Sequence, residues 1–175
     1  MTEKQLYDEQ VYKALYDFQM KEFEDAKSQH SRLEDKAAKY LTFTSIIIAA
    51  LSIFSKQYLF DTSQKGLLFY IIVCLTVVIF LSLCCIARFL FHVVEVSEVG
   101  RLQSDKAMID LFTSNDLPII QYNLAKDISE IIKTYDERNR IKVSFLKKAF
   151  KEIKFSGLML VITVLLIVID TIIVK

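Results

Sequence analysis

Residues 66–87 read GLLFYIIVCLTVVIFLSLCCIA, an unbroken run without a charge. A helix rises 1.5 Å per residue and a hydrocarbon core is roughly 30 Å thick, so about 20 apolar residues suffice to cross it. The run predicts a transmembrane helix. Uncharged stretches on either side, 40–55 and 155–169, predict two more. The first is short and reaches full length with Lys39 and Lys56 as snorkelling ends and with Tyr58, Leu59 and Phe60 at the far interface. The last extends to Val174 when Asp170 sits near the outer headgroups. The chain is 53% hydrophobic yet 25% charged, and only segregation along the chain reconciles the two.

The predicted layout is an all-α membrane protein with about three transmembrane helices continuous with a cytosolic helical bundle. Its parts are an amphipathic helix over 1–39, spans over 40–56, 66–87 and 155–174, an external loop over 57–65, and a helical region over 88–154. Lys and Arg number seven before Tyr40, twelve from Arg88 to Lys154, two from Lys56 to Lys65 and one after Val174. Basic residues resist translocation, so the amino terminus and the central segment are expected inside and the short loop and the carboxyl end outside. The first 39 residues are polar and form no cleavable apolar core, so no signal peptide is expected. A net charge of +1 gives no reason to expect direct nucleic-acid binding.

Gly66, Gly100, Gly157 and Pro118 are the only glycines and proline. With neither residue type between Lys4 and Phe54, one helix of about 50 residues is expected there. A second is expected from Leu67 to about Thr113. A third starts at Asn115 or Asp116, with Pro118 in the first turn where its missing N–H is no loss. Tyr12, Tyr16, Met20 and Phe23 recur at helical spacing, and Val11, Leu15 and Phe18 widen that stripe. Leu124, Ile128, Ile131 and Tyr135 mark a face of the third helix. These stripes either pack together as an antiparallel bundle or dock a partner chain or a second copy of this protein.

No catalytic constellation is present, and neither cofactor nor metal is expected. His30 and His92 lack metal-ligand spacing to a cysteine and are expected solvated or interfacial; Cys74, Cys84 and Cys85 all fall in the second span. Polar residues inside the spans form two repeating faces. Thr42, Ser45, Ala49, Ser52 and Lys56 share one side of the first span, and Ser156, Thr163 and Asp170 share one side of the third. Each is either a close-packing seam or a wetted stripe lining a pore, with Asp170 then at its outer mouth.

The run 33–38, Leu-Glu-Asp-Lys-Ala-Ala, leads straight into the first span, and Ile-Lys-Val-Ser-Phe-Leu-Lys-Lys-Ala-Phe at 141–150 is a basic-aromatic helix ahead of the last. Both resemble the SLATT-like and Pycsar-type small transmembrane effectors of bacterial anti-phage defence. The resemblance implies an inner-membrane effector, quiet until a sensor detects infection, that then forms homo-oligomers, breaches or depolarises the bilayer and arrests the host. It assigns trigger coupling to Asp35, Lys36 and Ala37. These 175 residues are too few to add a recognisable cyclic-nucleotide-binding domain to the helices, so a nucleotide trigger is expected to bind the helical cytosolic part; otherwise the signal comes from a separate protein, a nucleotide cyclase or a retron-type complex encoded alongside. A membrane-anchored adaptor and a small transporter or channel subunit are the other readings; the transporter lacks a midplane charge or a broken span.

Overall fold

Two helices dominate the chain because almost nothing in it interrupts them. A computed structural model describes residues 3–61, 66–95, 100, 102 and 105–173. Its helices are α1 (Glu3–Asp61), α2 (Leu67–Val94), α3 (Lys106–Ser114) and α4 (Leu117–Ile173), with no strand among the described residues. Three of them, α1, α2 and α4, are long and apolar enough to cross a membrane. The chain divides into two compact units, Met1–Leu33 with Val96–Ile141 and Glu34–Glu95 with Lys142–Lys175.

In the first unit α1 packs on α4. Tyr12 meets Tyr122 and Phe23 meets Tyr135, edge to face, with centroids 5.6 and 5.7 Å apart. Higher numbers on one helix meet higher numbers on the other, so the pair is parallel. This corrects the expected antiparallel bundle. The physical reason is visible in the sequence: α1 and α4 each pass from a polar amino-terminal half to an apolar carboxyl-terminal half, and like halves align only when the helices run the same way. Inward positions advance by four and three along both helices: Tyr12, Tyr16, Gln19, Phe23, Ala26, His30 and Leu33 on α1, and Gln121, Ala125, Ile128, Ile132, Tyr135 and Asn139 on α4. That 3.5-residue period is the coiled-coil seam.

The expected helix from Leu67 to Thr113 is instead two helices. α2 stops at Val94, where Glu95 N–H closes the last turn on the Phe91 carbonyl at 2.8 Å. α3 begins at Lys106 because the Asp105 carboxylate accepts from Met108 N–H at 3.0 Å. Between them Gly100 packs beside Ile131, where an added Cβ would make only ordinary van der Waals contact with its side chain. Asn115 closes α3 by donating its side-chain amide to the Leu111 carbonyl, and the backbone carbonyl of Asp116 heads α4 by accepting from Ile119 and Ile120 N–H, leaving Pro118 in the first turn as expected.

The second unit holds the apolar halves. Tyr40 meets Phe150 at 5.0 Å, and Tyr58 reaches Asp170, so α1 and α4 are parallel here too. α2 runs the opposite way: Phe69 stacks on Tyr58, Ser82 meets Glu152 and Phe89 approaches Phe145. It buries Phe69, Ile72, Ile79, Leu83, Ile86, Leu90 and Val93. The outer surface of this unit is apolar as well, with Phe43, Ile46, Ile53, Leu81, Leu158 and Leu165 all exposed. So wide a patch is incompatible with water and suits lipid. α1 continues through 57–61, because no breaker precedes Gly66; the rest of the expected loop, 62–65, lies outside the described residues.

Ala149 is fully buried in the α1–α4 seam whereas Lys147 is exposed. Ala149→Leu should therefore destabilise the chain by about 1–3 kcal/mol through overpacking, and Lys147→Leu by less than about 0.5 kcal/mol. Thermal unfolding of both variants in detergent reads this, and equal melting temperatures would contradict the seam.

Candidate functional site

A seam made only of Leu and Ile would be stable but indifferent to register. This one carries polar side chains at inward positions. In the first unit His30 is buried, contrary to the solvated position expected for it, because position 30 falls on the four-three spacing. Its Nδ1 lies 2.9 Å from Asn139 Oδ1, and Asn139 Nδ2 donates to the Ala26 carbonyl at 3.1 Å. The amide is thus oriented by the backbone, its oxygen faces the ring, and Nδ1 must carry the proton. Tyr135 packs edge-on against the same imidazole with centroids 5.5 Å apart. Buried polar layers of this kind fix register and partner in coiled coils at some cost in stability.

The second unit has its own polar pairs. Lys142 is buried, 3% exposed, and its ammonium donates to Glu34 Oε1, whose side chain is partly exposed. Further along, Ser82 Oγ donates to Glu152 Oε2 at 3.1 Å and Tyr58 Oη donates to Asp170 Oδ2 at 2.8 Å. Asp170 therefore sits against α1.

The two hydroxyl faces separate. Ser156 and Thr163 are buried between helices, donating to the Ile153 and Met159 carbonyls, and Thr163 lines an apolar cleft of about 290 Å³ with Ile79 and Leu51. Thr42, Ser45, Ala49, Ser52 and Lys56 are exposed on the outside of the unit. Thr42, Ser45 and Ser52 donate to the carbonyls four residues back, at 3.0, 2.9 and 2.7 Å. Such back-bonding satisfies the hydroxyl proton within the helix and makes the stripe tolerable in hydrocarbon. Thr44, which the sequence reading passed over, is the buried hydroxyl of this span.

Of the Asp35, Lys36 and Ala37 triplet, the two charges are exposed and Ala37 is fully buried. In the stripe 12–23, Tyr12 and Phe23 turn to α4, Tyr16 and Met20 are half-buried, and Val11, Leu15 and Phe18 remain outside. Cys74, Cys84 and Cys85 are free and exposed. Among the described residues no three His, Cys, Asp or Glu side chains are grouped to hold a metal. Comparison of the chain with protein-family models, curated proteins and solved structures gives no match.

The residues that sequence reasoning missed, His30, Asn139, Glu34 and Lys142, have a common signal: extending the four-three spacing through the charged stretches puts His30, Asn139 and Lys142 on the seam. Two stability tests follow. Asn139→Leu leaves the His30 N–H and the Ala26 carbonyl without this partner and should cost about 1–3 kcal/mol; adding His30→Leu should recover much of that, and a double-mutant cycle with no coupling would refute the layer. Lys142→Met should be close to neutral, whereas Glu34→Ala, which strands a buried ammonium, should cost more, up to about 3–5 kcal/mol. Denaturation in detergent at one pH compares the two.

Proposed function

We propose that this chain is a multi-pass effector of the bacterial inner membrane, with its amino terminus in the cytoplasm, that serves anti-phage defence. Triggered by a cognate sensor, it assembles into homo-oligomers and depolarises the membrane, producing abortive infection. The observation that carries the reading is the exposed face of the first span. Thr42, Ser45, Ala49 and Ser52 present small side chains outward while the corresponding face of the third span is already buried within its own unit. Small faces let a neighbouring helix approach closely. Their back-bonded hydroxyls keep lone pairs that accept from water, so the same stripe tolerates lipid in one assembly and lines an aqueous path in another. The shift between the two requires a trigger that binds one state better.

The first unit offers one polar groove of about 640 Å³ between α3 and α4, which Asp105, Asp127 and Glu130 line. Three carboxylates disfavour a phosphate-bearing messenger there, which supports a protein sensor over its nucleotide product as the direct trigger.

Ser45→Leu with Ser52→Leu should abolish depolarisation during phage challenge, read with a voltage-sensitive dye, while insertion remains intact; undiminished depolarisation would remove the stripe from the mechanism. Separate charge reversals, Asp35→Lys and Lys36→Glu, should silence the response to infection without loss of protein from the membrane. Full activity in both would detach the motif from trigger coupling.

A further inference from the structure

α3 and its groove lie along one flank of the α1–α4 pair in the first unit, with Asp127, Ile131 and Thr134 supplying the α4 side. The opposite flank is open. On α1 it consists of the residue before each inward position, and on α4 of the residue after it, because adjacent parallel right-handed helices turn those two sets to the same side. These are Val11, Leu15 and Phe18 on α1, exposed by 45, 37 and 57%, and Ile119 and Tyr122 on α4, exposed by 47 and 48%. Tyr122 touches Tyr12 across the seam, which joins the two rows into one surface. Five large apolar side chains together on one flank of a polar unit mark an interaction surface.

Beyond the apolar patch both rows carry charge, predominantly acidic on α1 and predominantly basic on α4. Glu22 and Asp25 follow Phe18 on the α1 row, with Arg32 further on, and Lys126 and Lys133 follow Tyr122 on the α4 row, with Asp136 and Arg140 further on; all seven are exposed. The His30–Asn139 contact sets the helices level at an offset of 109 residues. Asp25 is therefore level with position 134, one residue from Lys133, and Glu22 with position 131. Two copies in one bilayer share an orientation, so a twofold axis between them runs along the helices and sets α1 of each against α4 of the other. Arg32 comes level with Arg140 at the far end, but Glu22 and Asp25 meet Lys133 at nearly equal height and apolar row meets apolar row. An isologous surface must be complementary to itself in this way.

We infer that this flank is the contact between copies of the chain, forming a parallel four-helix arrangement in which Asp25 of each copy faces Lys133 of the other. The inference rests on the self-association in the proposed function and names the surface that performs it outside the spans. A partner protein with a similarly divided surface would be the competing occupant.

The test uses the full chain in native membranes with Cys74, Cys84 and Cys85 replaced by Ala. A tagged Asp25→Cys copy is co-expressed with a differently tagged Lys133→Cys copy, and a short bismaleimide is added. The expected result is a heterotypic dimer in several-fold excess over either homotypic one. Equal homotypic bands, or no heterotypic band, overturn the inference. Independently, Glu22→Lys with Asp25→Lys should reduce the native dimer several-fold, and adding Lys126→Glu with Lys133→Glu should restore it; a loss that the swap leaves unrepaired also overturns it. Membrane potential is read on the same samples. Cross-linking without depolarisation under challenge keeps the interface and discards the effector reading, and depolarisation without cross-linking does the reverse.

Discussion

The parallel seam between α1 and α4 is the constraint on which everything else depends. Parallel neighbours cannot be joined by a short turn, so the chain must return before the second helix begins, and α2 is that return. The seam repeats every seven residues in both units, and its polar members set which residue meets which. A one-heptad slip would place apolar side chains opposite His30 and Asn139 and leave their hydrogen-bonding groups unmet, at about 1–3 kcal/mol for each. Leu and Ile alone would not discriminate that register so sharply. The buried layer thus exchanges some stability for a single alignment.

The second unit solves a different problem with the same spacing. Its helices need no hydrophobic driving force once in lipid, so contact depends on fit and on polar pairs that hydrocarbon would otherwise penalise. Ser82 with Glu152 and Tyr58 with Asp170 are such pairs, one from each end of α2's neighbourhood. Fully buried Ala37 and Ala149 let backbones come close. On the exposed side of the first span, as at Thr42 and Ser45, the hydroxyl turns to its own backbone.

Much of this was legible in the residues. Charge-free runs gave three candidate spans, scarcity of Gly and Pro gave long helices, and Asp116 with Pro118 marked where α4 begins. The direction of packing was less legible, because hydrophobic stripes match equally well either way and only the polar-to-apolar gradient shared by α1 and α4 distinguishes parallel from antiparallel. The break between Val94 and Lys106 was also missed. Its signals, Gly100 and the capping Asp105, are single residues in a stretch otherwise compatible with helix, and Asp105 acts through one carboxylate hydrogen bond. Burial of His30 was hidden for a third reason: charged neighbours on both sides dilute the apolar stripe, and only strict counting in sevens carries it through.

Three thiols on the outside of one helix have a use unrelated to their packing. Cys74 and Cys84 lie ten residues apart on α2, a rise of about 15 Å. That is half of a hydrocarbon core roughly 30 Å deep. The helix consequently carries its own depth gauge: a water-soluble maleimide and a lipid-soluble one, compared at the two positions, report how far α2 is immersed and whether that immersion changes when the protein changes state.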